Sequence, residues 1–185
     1  VSVKAQIQKA LKLHVCTSDA TLRTFVESHL RASGFTLSDT PKRQGVNVII
    51  IIDNPLTWAL KELTRLTKIE RTRTVVSTMG RHPIYRDCLA SYEPSGVVIS
   101  TDAQAGLAAI YAASAGISLY RPQSDLTNAE LRIMRLLLKG EDADDMSMRL
   151  HISKKTINSH ISNILSKTQS NDRAQLVAKV LGYCP

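Results

Sequence analysis

The stretch from Lys154 to Thr168 holds the residues best suited to chemistry, and that chemistry is recognition of a polyanion. It contains no Asp or Glu, while Lys154, Lys155 and Lys167 are basic and Ser, Thr and Asn supply most of the remaining polar groups. Ile157, Ile161, Ile164 and Leu165 recur at i, i+4, i+7 and i+8, so an α-helix gathers them into one buried face. The opposite arc then holds Lys155, Ser159, Ser162, Asn163 and Ser166, with Asn158 at its edge. Small polar and basic side chains let a helix enter the major groove of a duplex, where Asn and Ser can bond base edges. The preceding segment carries Asp142, Asp144 and Asp145 and is a poor reader of DNA. A solvated helix in a small bundle is the plainer alternative. The combination of spacing, capping signals and an acid-free face favours recognition.

These side chains need elements to hold them. Thr127 and Glu130 form a T-x-x-E capping box that starts a helix at Asn128, with Leu131, Met134 and Leu138 on its apolar stripe and Ile133 and Leu137 beside it. Gly140 ends it. A second helix over 142–150 turns Ala143, Met146 and Leu150 inward, residues 151–153 make a turn, and Ser153 caps the helix that begins at Lys154. A fourth helix over 172–181 takes its cap from Asp172 with Gln175. Upstream the texture changes. Short β-branched runs at 11–17, 35–38, 46–52, 73–77 and 96–100 alternate with helical periodicities at 20–33, 56–67, 82–92 and 103–115. That alternation predicts a five-stranded parallel sheet of flavodoxin-like α/β type, with 46–52 as its central strand. The gap between the second and third strands is too short for a normal crossover helix, so that helix is short or absent. Pro122 marks a break. The expected organisation is an α/β domain over 1–116, a linker over 117–125 and an all-α four-helix domain over 126–185.

Composition narrows the function. The 185 residues carry a net charge of +8 and an isoelectric point near 9.6, which favours a polyanionic partner. Two Phe and one Trp argue against a single-strand binder built on stacked bases. Cys16, Cys88 and Cys184 lack metal-like spacing and cannot all pair, which suits reduced thiols in a cytoplasmic protein. No apolar run reaches the roughly 18 residues that span a membrane, and no secretory signal is visible at the start. His151 and His160 lack a Cys or acidic partner at ligand spacing, so neither a metal nor another cofactor is expected. Without a nucleophile–base pair or a phosphate-cradling glycine loop, an enzyme is the weakest reading. Residues 1–122 hold fifteen Lys and Arg against nine Asp and Glu, and 123–185 hold nine against seven. Most of the excess charge thus lies outside the candidate DNA reader. Lys61, Arg65, Lys68, Arg71, Arg73, Arg81 and Arg86 cluster there, as a solvated face or as an added contact with flanking DNA or an acidic partner.

The run Leu126-Thr127-Asn128-Ala129-Glu130, followed by Ile152 to His160 and by Asn163-Ile164-Leu165-Ser166-Lys167, resembles the LuxR/NarL/FixJ-type DNA-binding domain. The resemblance implies base-edge contacts from Asn158, Ser159 and Ser162. It implies phosphate contacts from Lys154, Lys155, Thr156, His160, Asn163 and Lys167. It also implies a homodimer paired through Ala174, Val177, Ala178 and Leu181 of the fourth helix; packing within one chain is the alternative for these four. Thr168-Gln169-Ser170 departs from the Leu-Gly-apolar stretch common in the family.

The upstream half similarly resembles a response-regulator receiver, which would need an acidic pair, a phosphoacceptor Asp, a Ser/Thr and a Lys at its strand ends. The acidic pair falls on Thr17 and Ser18, with Asp19 one step late, and the Lys falls on Ser100. The phosphoacceptor falls on Ile52 or Asp53, and Ser77 or Thr78 could be the switch hydroxyl. The resemblance therefore implies a pseudo-receiver, a transcription regulator working without aspartyl phosphorylation at Asp53 and open to a protein or small-ligand effector. The alternative is an adaptor or antagonist that binds a related regulator and holds DNA weakly.

Overall fold

In the computed structural model, which describes residues 8–38 and 45–183, the β-branched runs become strands and the amphipathic runs become helices. Strands β1 (Lys12–Cys16), β2 (Thr36–Leu37), β3 (Val48–Asp53), β4 (Thr74–Thr78) and β5 (Gly96–Ile99) form one parallel sheet in the order β2-β1-β3-β4-β5. The run Val-Ile-Ile-Ile-Ile-Asp lies at its centre, as a strand buried on both faces must be apolar throughout. Leu13 pairs with Leu37 on one side and Val48 on the other, and Ile51 sits between Cys16 and Val76.

Helix α1 (Ala20–Ala32) follows β1 and is capped by Asp19. The helix expected over 56–67 is divided into α2 (Trp58–Arg65) and α3 (Lys68–Arg71). Leu66 turns extended between them, and Thr67 with Glu70 builds a capping box for α3. Helix α4 (Pro83–Ala90) precedes β5, and α5 (Ala103–Ser114) follows it. The described residues between β2 and β3 contain no helix; residues 39–44 and Cys184 lie outside the described residues. After α5 no helix or strand occurs until α6 (Asn128–Leu138), α7 (Ala143–Leu150), α8 (Lys154–Thr168) and α9 (Arg173–Leu181).

The chain divides into two compact units, residues 1–79 with 92–120, and residues 80–91 with 121–185. Chain order alone puts 80–91 with the sheet. Instead α4 groups with the C-terminal helices, packing on α6 and α9. Its Ile84, Tyr85, Cys88 and Leu89 are buried, and so is Asp87. The Asp87 carboxylate accepts the backbone N–H of Gln123 at 3.0 Å and of Ser124 at 2.7 Å. Residues 117–120 fall in the first unit and 121–125 in the second, so the segment expected as a linker is shared. No helix among the described residues is long and apolar enough to cross a membrane.

Candidate nucleic-acid interface

In the second unit, local signals set where each candidate side chain stands. Thr127 accepts the Glu130 N–H while the Glu130 carboxylate accepts the Thr127 N–H, and Gly140 leaves α6 at φ +80°. Asp142 accepts two N–H groups at the start of α7, which hold its carboxyl below the usual range. At the turn, Ser147 Oγ donates to the Ile152 carbonyl at 2.7 Å, and Ser153 caps α8 through the Thr156 N–H. Ile157, Ile161 and Ile164 are buried against α6 and α7, with Met134 and Met146 fully enclosed nearby. Their burial fixes the rotation of α8 and therefore which side chains face outward.

Lys154, Lys155, Thr156, Asn158, Ser159, Ser162, Asn163 and Lys167 are exposed and His160 is half-buried, so every residue of the expected set lies outside the core of α8. Their engagements differ. Lys154 pairs with Asp144 of α7. Ser159 returns its hydroxyl to the Lys155 carbonyl at 2.9 Å, and Thr156 shares its hydroxyl with Ser153 at 2.8 Å. Lys167 bonds both the Glu130 carboxylate at 2.8 Å and the Asp125 carbonyl at 2.9 Å, tying the end of α8 to the start of α6. Burial pushes the Glu130 carboxyl up, but Lys167 and the Thr127 bonds outweigh it and hold it below its ordinary value. No carboxylate among the described residues pairs with Lys155. Arg173, at the start of α9, donates to Asn158 Oδ1 at 2.8 Å and so joins this surface. The sequence pattern of α8 missed it, because Arg173 belongs to the next helix and its reach depends on the α8–α9 crossing.

Along α9, Ala174 is exposed and Val177, Ala178 and Leu181 are half-buried, while Leu176 and Val180 are enclosed. The four residues assigned to pairing thus form a partly accessible apolar stripe.

In the first unit, Asp53 is 2% exposed at the end of β3. Its Oδ1 accepts the Ala59 N–H at 2.9 Å and its Oδ2 accepts the Thr78 hydroxyl at 2.8 Å. Thr57 does not cap α2 with its own side chain, so Asp53 satisfies a first-turn amide there. Asp19 is engaged as the cap of α1, and Ser18 donates to the Asn54 carbonyl at 2.6 Å. Ser77 and Ser100 share a hydrogen bond of 2.9 Å. No trio of His, Cys, Asp or Glu among the described residues is arranged to hold a metal ion. Within the basic cluster, Arg65 pairs with Glu62, Arg73 donates to the Val46 carbonyl and Arg86 bonds Gln123, so part of that charge serves the fold.

A five-stranded receiver-like sheet joined to a helix-turn-helix unit defines the class of protein. Residues 124–180 match the family model for bacterial regulatory proteins of the luxR family. Response regulator protein VraR of Staphylococcus aureus is 42% identical over 52 residues, covering 28% of this chain and 25% of that protein; the same protein of Staphylococcus saprophyticus gives the same figures. The chain therefore spans about a quarter of the length of the sequence relatives it matches. Among solved structures, RcsB of Salmonella typhimurium superposes with a TM-score of 0.59 at 17% identity, covering 95% of this chain and 98% of that one. A structure of two RcsB dimers bound to two parallel DNAs gives 0.62 at 15% identity, covering 93% and 98%. Residues 124–180 thus carry the likeness to the luxR family, and the superposition on RcsB shows that the two chains share a fold.

Proposed function

We propose that this chain is a sequence-specific, duplex-DNA-binding transcription regulator of the bacterial cytoplasm that works without aspartyl phosphorylation and pairs through α9. The acid-free outer face of α8 carries the reading, since its orientation is fixed by three buried isoleucines. In it, Asn158, Ser159 and Ser162 meet base edges while Lys155, Thr156, His160 and Asn163 approach phosphates; Lys154 and Lys167 reach phosphate only by giving up an existing partner. The build shared with RcsB, whose dimers are described bound to DNA, supports the same reading.

The state of Asp53 supports phosphorylation independence. A phosphoacceptor oxygen must reach its phosphoryl donor, whereas the Asp53 carboxylate is enclosed, with one oxygen held by the Ala59 amide and the other by the Thr78 hydroxyl. Ser100 stands where a neutralising Lys is needed, and no acidic pair stands at the end of β1. The purified chain, incubated with acetyl phosphate and Mg²⁺, is expected to form no acyl-phosphate and to keep its duplex affinity. A stoichiometric, base-labile adduct lost in Asp53→Asn would overturn that part of the reading.

The engagement of Lys154, Lys167 and Ser159 favours a second reading, in which duplex binding is weak and the stripe on α9 pairs with a related regulator as an adaptor or antagonist. It is distinguished by affinity: an adaptor binds duplexes only at low salt and without sequence preference.

A further inference from the structure

Helix α1 is amphipathic, and the fold leaves its apolar stripe partly uncovered. Leu22, Phe25, Val26 and Leu30 form an apolar stripe at helical spacing, yet no residue of α1 is buried, and Phe25 is 59% exposed. The stripe borders a crevice of about 440 Å³ between α1 and α5, within the range of small-molecule sites. Its floor is the sheet, at Ile50, Ile52, Val75 and Val98, and Gly106 and Leu107 of α5 form the opposite wall. Ile50 and Val75 line it while being only 5% and 2% exposed. These two residues therefore lie deep in the crevice, where slender groups reach them.

The crevice is polar at one end. Ser77 and Ser100, at the ends of β4 and β5, bond one another at 2.9 Å. One hydroxyl hydrogen makes that bond, which leaves the second available to donate to an added oxygen. None of the described lining residues is Lys or Arg; His29 and Ser33 of the α1 segment also line the crevice, the His29 ring lying against Phe25 with Nδ1 on the Phe25 carbonyl at 3.2 Å, and Asp102 lies at the edge, capping α5. A carboxylate or phosphate ligand would leave water with no Lys or Arg to meet it, only the His29 imidazole already held against Phe25, and with Asp102 close by the serine pair. A neutral ligand has neither penalty.

We infer that the α1–α5 crevice is a binding site for a neutral, largely apolar small molecule bearing one hydrogen-bonding oxygen, which lies against the Ser77–Ser100 pair. The tail covers Ile50, Val75 and the apolar stripe of α1. This inference does not depend on DNA reading, and its test uses no DNA.

Gly106 gives a clean probe, because a Cβ added there meets nothing within 4 Å. Gly106→Leu fills the crevice and replaces a helix-interior glycine with a better helix former. The full chain is titrated with N-phenyl-1-naphthylamine, a neutral dye that fluoresces in apolar sites, and the bound dye is displaced with 1-decanol or decanoate. Expected are saturable binding, displacement by decanol at least about tenfold better than by decanoate, and at least about tenfold weaker dye binding in Gly106→Leu with unchanged circular dichroism. Ser77→Ala with Ser100→Ala is expected to weaken decanol while sparing the dye. Absence of saturable binding, equal binding by Gly106→Leu, or equal displacement by decanoate would each overturn the inference. So would a chain that dimerises through this face, shown by sedimentation if Gly106→Leu restores the monomer and the dye is not bound.

Discussion

At the residue scale, the side chains on α8 divide by what already holds them. Lys155 is exposed with no pairing carboxylate among the described residues, so Lys155→Ala should weaken binding to every duplex alike and reduce the salt slope by about one. Asn158 is oriented by Arg173, and Asn158→Ala should relax preference at one base pair by about 1–3 kcal/mol. Parallel anisotropy titrations on the best site and on random duplex check both; equal losses on both duplexes for both variants contradict the division. A stability prediction comes from the end of the same helix. Gln169 occupies the left-handed region at φ 52°, where a side chain is disfavoured and glycine is not. Gln169→Gly should raise unfolding stability by about 1 kcal/mol in a urea titration. The departure from the family's Leu-Gly pattern was visible in the sequence; its energetic meaning needed the backbone angle.

At the scale of elements, the legible parts were those written locally. The capping boxes at Thr127 and Glu130, the cap at Ser153 and the glycine at 140 each concern neighbours a few residues apart, and each helix begins and ends where those signals place it. The membership of α4 was not legible. Its apolar residues fit a sheet-covering helix equally well, and its anchor joins Asp87 to Gln123 and Ser124 across more than thirty residues. The kink at Leu66 and the crevice beside α1 likewise depend on tertiary packing. One pH effect belongs to α4. His82 caps it by accepting the Ile84 N–H at Nδ1, and burial, then Lys179, then Arg86 hold its pKa below the ordinary 6.5. The unfolded chain therefore takes up the proton first as pH falls. Stability should decline below about pH 6.5 and level off beneath the folded pKa. His82→Asn retains a capping oxygen without titrating, so thermal unfolding between pH 7.5 and 5 should show a flatter slope in that variant. An unchanged slope would remove His82 as its source.

At the scale of the whole molecule, the proposed regulator combines a sheet with a buried Asp53 and a helix-turn-helix unit with an acid-free face, and on that proposal its output needs no phosphate on the sheet domain. The excess positive charge lies mainly in residues 1–122, where Arg65 and Arg73 are engaged in the fold; on the proposed reading it is α8, with Arg173 beside Asn158, that meets the duplex. Pairing through Ala174, Val177, Ala178 and Leu181 would place two such surfaces on one duplex, in the two-fold arrangement that inverted repeats match. The most direct measurement is selection of genomic fragments by the full, unphosphorylated chain, followed by a salt titration of the enriched sites. The account predicts an inverted repeat with half-sites about one helical turn apart, bound with a steep salt dependence and lost when Lys155 and Asn158 are replaced together. Recovery of no common sequence, with weak binding that those replacements leave unchanged, would contradict it.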